Sequence, residues 1–347
     1  MRDLVVKNDD LVIATHGRGF WIMDDVTPLR QMAAAVAAHG AFLFAPAVAC
    51  RVRPEGFTGT PLPKSEPRGA NPPDGAYLDY TLPTAAKTIT LTITDAAGRL
   101  VRRYSSADKV PVPDLAKIQI APGWIVPPIA LAITPGLHRF VWDLRAAAPA
   151  ALAGAEGVWS AGVWAPPGAY HVTLDVDGRA LTQTLNIVPD PRVRGMTATD
   201  YAAQFALARR IEADRAAVAS ALKQADALHA TLLARAAATP ALKVALLDYD
   251  SDLRALSDLP MQADPRNSMG APIDHRDSLR ALEHRLEALD KAVDAADVPP
   301  TPDAKSGYAQ AHAALGVTLA HWQALTAQPL QALNRKLTAA GQPPLAL

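Results

Sequence analysis

Two adjacent carboxylates, Asp24-Asp25, and the His16-Gly17-Arg18-Gly19 stretch before them are the nearest thing to chemistry early in the chain. A carboxylate pair can divide acid and base work, and a histidine beside an arginine joins a general base to an anion clamp. Neighbouring residues on a strand point to opposite faces, however, so Asp24 and Asp25 are poorly placed to share a substrate atom. Turn chemistry explains them better, because aspartates at strand ends bond nearby main-chain amides. Three tryptophans, Trp124, Trp159 and Trp164, stand in or beside loop-like sequence. Aromatic faces pack against sugar CH groups, so with His16 and Arg18 they form a candidate contact surface. The alternative is that they plug the gap between one domain and the next, as tryptophans usually do.

Other residues carry less. The single cysteine, Cys50, excludes an intrachain disulfide framework and any multi-cysteine metal site. His275-Arg276-Asp277 and His284-Arg285 read as a polar helical face, and His312 and His321 are too far apart in sequence to share one. Gly154-Ala155-Glu156-Gly157 is followed by no Lys-Ser/Thr helix start, so it is not a phosphate loop. There is no Gly-x-Ser-x-Gly elbow. No catalytic, cofactor or metal residues are therefore expected. Lys+Arg 34 balances Asp+Glu 34, so no overall field recruits nucleic acid. No apolar run reaches the ~20 residues of a membrane-spanning helix. The first residues, Met1 to Asn8, lack the apolar core of a signal peptide.

The elements that must position these residues are legible from periodicity. Asp10 to Thr15 and Phe20 to Asp25 read as two apolar strands joined by the glycine turn. A lone hairpin of this kind is marginal in water and leaves a bare edge, so a larger sheet is expected upstream. Thr27-Pro28 opens a short helix to Ala38, with Thr27 as its expected cap. Pro46 to Pro73 is rich in proline and glycine and reads as an extended connector. Ala76 to Leu82 and Lys87 to Thr94 alternate strictly, placing Ile89, Leu91 and Ile93 on one face. Leu137 to Leu144 and Tyr170 to Val176 follow, and Asp177-Gly178 turns into Arg179 to Val188. Together these predict a small antiparallel β-sandwich of the immunoglobulin or fibronectin kind, with Phe140, Trp142, Val172 and Leu174 inward.

After the stiff Val188-Pro189-Asp190-Pro191 hinge, Thr197-Ala198-Thr199-Asp200 is a capping-box pattern, and Ala-rich helix runs to about Ala237. A second helix starts after Thr239-Pro240. A third carries Leu279, Leu282, Leu286, Leu289 and Val293 as a narrow seam. A fourth is lined by Tyr308, Leu315, Leu319 and Trp322, and a short fifth by Leu330, Leu333 and Leu337. With 347 residues and 50% hydrophobic content there is room for such a multidomain, β-then-α chain. The expected divisions are 1–45 for the hairpin and short helix, 46–75 for the connector, 76–189 for the sandwich and 190–347 for a helical bundle.

The stretch from Leu11 to Met32, LVIATHGRGFWIMDDVTPLRQM, resembles the closing blade of a β-propeller in large bacterial sortilin-like, neuraminidase-repeat (glycosyl-hydrolase-like) secreted proteins. The resemblance continues through Asn71 to Ala76, Gly136 to Arg145, Ala165 to Tyr170 and Asp190 to Val193, and so covers nearly the whole chain. Asp24-Asp25-Val26-Thr27 stands where such a repeat carries its Asp-containing turn, without the Ser-x-Asp-x-Gly-x-x-Trp pattern. The resemblance implies the C-terminal portion of a longer architecture, an incomplete propeller blade followed by sandwich and bundle. It implies a periplasmic or extracellular location for the full-length protein. The expected function is a non-catalytic accessory region that docks on a β-propeller domain in cis or trans and contacts a protein or glycan ligand. The alternative is part of a glycoside hydrolase-like enzyme whose catalytic carboxylates lie in a propeller elsewhere.

Overall fold

A computed structural model describes residues 2–53, 72–109, 130–152, 162–257 and 277–347. They divide into two compact units, Met1–Ala147 with Glu156–Tyr201, and Ala148–Ala155 with Ala202–Leu347. Strands build the first unit and helices the second, as the β-then-α reading expects. Among the described residues no helix is long and apolar enough to cross a membrane.

The first unit opens with three short strands, β1 (Asp3–Lys7), β2 (Asp10–Ala14) and β3 (Phe20–Met23), in an antiparallel sheet of that order. The sequence reading holds β2 and β3 but omits β1, whose two valines sit between the charged ends Asp3 and Lys7. Asn8, in the left-handed region at φ 55, turns β1 into β2. Two short helices follow, α1 (Thr27–Arg30) and α2 (Met32–Ala37). The single helix expected here is interrupted at Gln31. Its side-chain amide donates to the Ala45 carbonyl at 3.0 Å and accepts from the Ala45 N–H at 2.9 Å. Thr27 is not the expected cap. It lies within the first turn, and the Asp25 carboxylate accepts from its N–H at 3.0 Å.

Eight further strands make two sheets. They are β4 (Phe42–Leu43), β5 (Ala49–Arg51), β6 (Ala76–Leu82), β7 (Ile89–Asp95), β8 (Leu100–Ser105), β9 (Gly136–Trp142), β10 (Gly168–Val176) and β11 (Arg179–Pro189). One sheet has the order β5-β11-β10-β7-β8 and the other β4-β6-β9. All pairings are antiparallel except β5 with β11, which is parallel. The expected boundaries therefore need correction: residues 1–45 supply β4, and the supposed connector 46–75 supplies β5. The short Ala49–Arg51 segment was unreadable as a strand because its ladder partner, Ile187–Pro189, is remote in sequence.

The two sheets share one core. Leu78, Tyr80, Phe140 and Trp142 come from one sheet, and Ile89, Leu91, Ile93, Val172, Leu174 and Leu185 from the other. All seven residues assigned inward by parity are buried. Each such side chain contributes about 1.5–3 kcal/mol relative to exposure. The Asp177-Gly178 turn joins β10 to β11 with both residues at positive φ, 51 and 90, as the twist of a two-residue hairpin loop requires. Its carboxylate also accepts from the N–H groups of Lys87 and Thr88 at 2.9 and 2.8 Å, tying the turn to the start of β7.

The helical unit holds most of α3 (Ala198–Ala238), then α4 (Lys243–Ser257), α5 (Leu279–Asp294), α6 (Pro302–Thr326) and α7 (Gln328–Ala339). Thr197 and Asp200 cap α3 reciprocally, each side chain accepting from the other's N–H at 3.2 and 2.9 Å. Ser278 and Thr301 cap α5 and α6. Of the expected seam on α5, Leu279, Leu282, Leu286 and Val293 are buried and Leu289 is half-buried. Buried Arg215 of α3 pairs with Asp290 at 2.7 Å and Glu283 at 3.6 Å on α5. The Gln204 side chain reaches the carbonyls of Val293 and Ala296, which fixes the register of the same two helices.

Candidate functional site: an apolar sheet and its arginine latch

The register of the first sheet sorts its side chains. Leu4 stands opposite Ile13, which stands opposite Trp21; Val6, Leu11 and Met23 make the next such row. These six residues share one face. Val5, Val12 and Ile22 form a row on the other, with Ala14 and Phe20 beside them. A sheet at the surface of a folded unit ordinarily pairs one apolar face with one polar face. Here both faces have an apolar centre, the second with Asp3, Lys7 and Asp10 at its rim, and both are open. Phe20 is 78% exposed, Trp21 62% and Ile22 60%, and Leu4, Val5, Val6 and Met23 are exposed as well.

What holds this sheet to its unit is a cluster at the end of β3. Arg139 on β9 stands directly across from Asp79 on β6. Its guanidinium meets that carboxylate in a fork, Nε to Oδ1 at 2.9 Å and Nη2 to Oδ2 at 3.1 Å. Two more donors go to the main chain after β3: Nη1 to the Asp24 carbonyl at 3.0 Å and Nη2 to the Asp25 carbonyl at 2.9 Å. The Asp25 carboxylate lies 3.9 Å away, and the Tyr77 ring packs under the guanidinium at 4.5 Å. From the sheet side, the Asp10 carboxylate accepts from the Asp25 N–H at 3.0 Å, and the Asp9 carbonyl accepts from the Val26 N–H at 2.6 Å. Arg139 is thus a latch between the two-sheet core and the exit of the apolar sheet.

Electrostatics follow from burial. Asp79 is only 5% exposed. That burial pushes its carboxyl above the ordinary range, with Asp25 adding to the push and Arg139 opposing it. Burial also works against the Arg139 charge, but Asp79, Asp25 and Tyr77 outweigh it and hold the guanidinium more firmly protonated. Burial, then the Asp24 charge, raises the Tyr77 phenol. Beside the latch is a cleft of about 310 Å³, lined by Met23, Leu29, Tyr77 and Leu137 with Asp24 and Arg139. Four of the five N–H donors of Arg139 are already engaged, and the Asp25 carboxylate is committed to the Thr27 amide. The chemistry of these groups is structural.

His16 and Arg18 lie exposed on the turn between β2 and β3, at the far end of β3 from the latch. Trp164 is 6% exposed and packs in the two-sheet core. The guanidinium of Arg145 lies 4.2 Å from its ring and that of Arg53 5.2 Å. It offers no face to a sugar, which corrects its assignment to a contact surface. Trp124 and Trp159 lie outside the described residues. Asp24 and Asp25 act through turn geometry, as sequence reasoning favours. No family model, curated protein or solved structure matches the chain.

Sequence reasoning missed Asp79 and Arg139. Alternation places Asp79 as it would any solvent-facing strand residue, and only the β6–β9 register reveals the opposite charge across from it. On α5, Glu283, His284 and Glu287 bring three ligand-type atoms within 4.8 Å of one another. Arg215 already faces Glu283 and Lys291 pairs with Glu287, so two cations neutralise the group and it is assigned no metal.

Proposed function

We propose that the chain is a non-catalytic docking region, whose three-stranded sheet is a β-propeller blade awaiting neighbours. On this reading the two-sheet unit is an immunoglobulin- or fibronectin-like sandwich, the helices form an accessory bundle, and the partner is a β-propeller domain supplied in cis or trans. The single observation that supports it is the double-faced apolar sheet. Propeller blades are small twisted sheets repeated around an axis, each flanked by neighbours. A sheet with both faces apolar suits that position and few others in a water-soluble chain. Seven exposed large apolar side chains at about 1.5–3 kcal/mol each provide ample driving force for covering it. The Arg139 latch suits a joint that must present the blade at a fixed angle to the sandwich.

The test is removal of residues 2–22, which leaves the Asp24–Asp25 side of the latch in place. Light scattering should fall, and the melting temperature of the remaining chain should drop only slightly, because the deletion costs the unit just the contacts of Asn8, Asp9 and Asp10 with Asp25, Val26 and Arg30 and leaves the two-sheet core whole. Collapse of the sandwich on removal would show the segment to be an integral part of that domain, and the docking reading would fail.

A further inference from the structure

The two edges of the apolar sheet differ, and the β3 edge carries a pattern that reads the same from either direction. Four residues, Phe20 to Met23, form the edge, and they include no charge, proline or bulge of the kind that normally protects one. The Thr15 N–H donates to the Gly19 carbonyl at 3.2 Å, which sets the phase of the β2–β3 ladder. Antiparallel ladders alternate, so Trp21 and Met23 direct their main-chain groups inward to Ile13 and Leu11. Phe20 and Ile22 then direct theirs outward. The next outward carbonyl, that of Asp24, is taken by Arg139, so the open edge ends there. At its other end stands Arg18. Neither Arg18 nor Asp24 has an ion-pair partner among the described residues.

We propose that two copies of this chain pair antiparallel through β3, with Trp21 opposite Trp21 across a two-fold axis. In that register Phe20 of each copy meets Ile22 of the other, and their outward groups make four main-chain hydrogen bonds. Arg18 of each copy then comes opposite Asp24 of the other, so both ends of the short edge are closed by opposite charges. The interface is isologous, as two-fold pairing requires. It joins two three-stranded sheets into one of six strands and extends both apolar faces. Four residues a side make a small contact, so the dimer is weak and concentration-dependent. The inference concerns the edge and not the faces, and it stands whether or not those faces dock on a propeller.

The register makes the test geometric. Opposed residues of a non-hydrogen-bonded antiparallel pair, as Trp21 and its counterpart would be, have Cα atoms about 4.5 Å apart, within disulfide reach, whereas diagonal neighbours lie at about 7–8 Å, beyond it. In a Cys50→Ser background, Trp21→Cys should give a covalent dimer under mild oxidation at least about tenfold faster than Ile22→Cys. Val5→Cys, at the middle of β1, tests the opposite edge. Sedimentation velocity of the unmodified protein should show monomer–dimer exchange, weakened by Arg18→Asp and restored by Arg18→Asp with Asp24→Arg. Equal cross-linking at positions 21 and 22, faster cross-linking at position 5, or no recovery in the charge-swapped variant would each overturn the proposal.

Discussion

Replacing Arg139 by methionine removes the latch while keeping most of the side chain's apolar stem. Asp79 is left 5% exposed with no counter-charge, and the carbonyls of Asp24 and Asp25 lose their donors. Stranding one member of a buried pair costs about 3–5 kcal/mol. Arg139 is itself 32% exposed at the side chain, so water relieves part of that, and about 2–4 kcal/mol is expected. The carboxyl of Asp79 already lies above the ordinary range through burial, and losing the arginine raises it further. A carboxyl whose folded pKa exceeds its unfolded value takes up its proton more readily when folded. Its contribution to stability therefore improves as pH falls through the folded pKa and is lost as pH rises through it. The deficit of Arg139→Met should accordingly be largest near neutral pH and shrink on acidification. Adding Asp79→Leu should recover most of it, because a matched apolar pair leaves no charge stranded and only the Asp24 and Asp25 carbonyls still lack their donors. Urea unfolding followed by tryptophan fluorescence at several pH values measures this, and hydrogen exchange over residues 2–26 reports whether the sheet has come loose. A loss below about 1 kcal/mol, or a deficit that grows as pH falls, would refute the reasoning.

Gly75→Ala should cost at least about 2 kcal/mol in the same unfolding assay, since the residue holds φ +134 and a Cβ would meet the Trp142 carbonyl oxygen at 2.2 Å. Asp177 is held below the ordinary carboxylate range by the amides of Thr88 and Lys87, so its stabilising effect is present at neutral pH and lost as pH falls through that depressed value. Thermal melts of Asp177→Asn should show less stability at neutral pH and a shallower loss on acidification than the unmodified protein. Leu286→Ala, fully buried on α5, should cost about 2–5 kcal/mol without altering the exchange of β1 to β3.

Local patterning made the strands β6, β7, β9, β10 and β11 readable, because each alternates over a length that only one face of a core explains. Helix ends were readable where side chains signal them, as at Thr197 and Asp200 for α3. The partners that complete each element were not. β1 was hidden because its three apolar residues are consecutive between charged ends and show no alternation, and β5 because its ladder lies more than a hundred residues away. Of the candidate contact residues, His16 and Arg18 lie at the surface, while Trp164 is sheathed by arginines. Sequence alone weighs a tryptophan near a loop by its type, not by which cations will cover it. Asp79 and Arg139 escaped notice for the same reason: a cross-strand pair exists only once register is known.

On the proposed docking role, both faces of the first sheet are surfaces for a partner and not part of this chain's own core. Lysine substitutions separate those alternatives one face at a time: Leu4→Lys with Trp21→Lys on one, Val5→Lys with Ile22→Lys on the other. Fluorescence of a hydrophobic dye such as ANS, read beside the thermal melt, is the measurement. Dye binding should drop with each pair and nearly vanish with all four, while the melting temperature stays within about 2 °C, as for surface substitutions. Unchanged dye binding, or a melting temperature lowered by more than about 8 °C, would contradict the account.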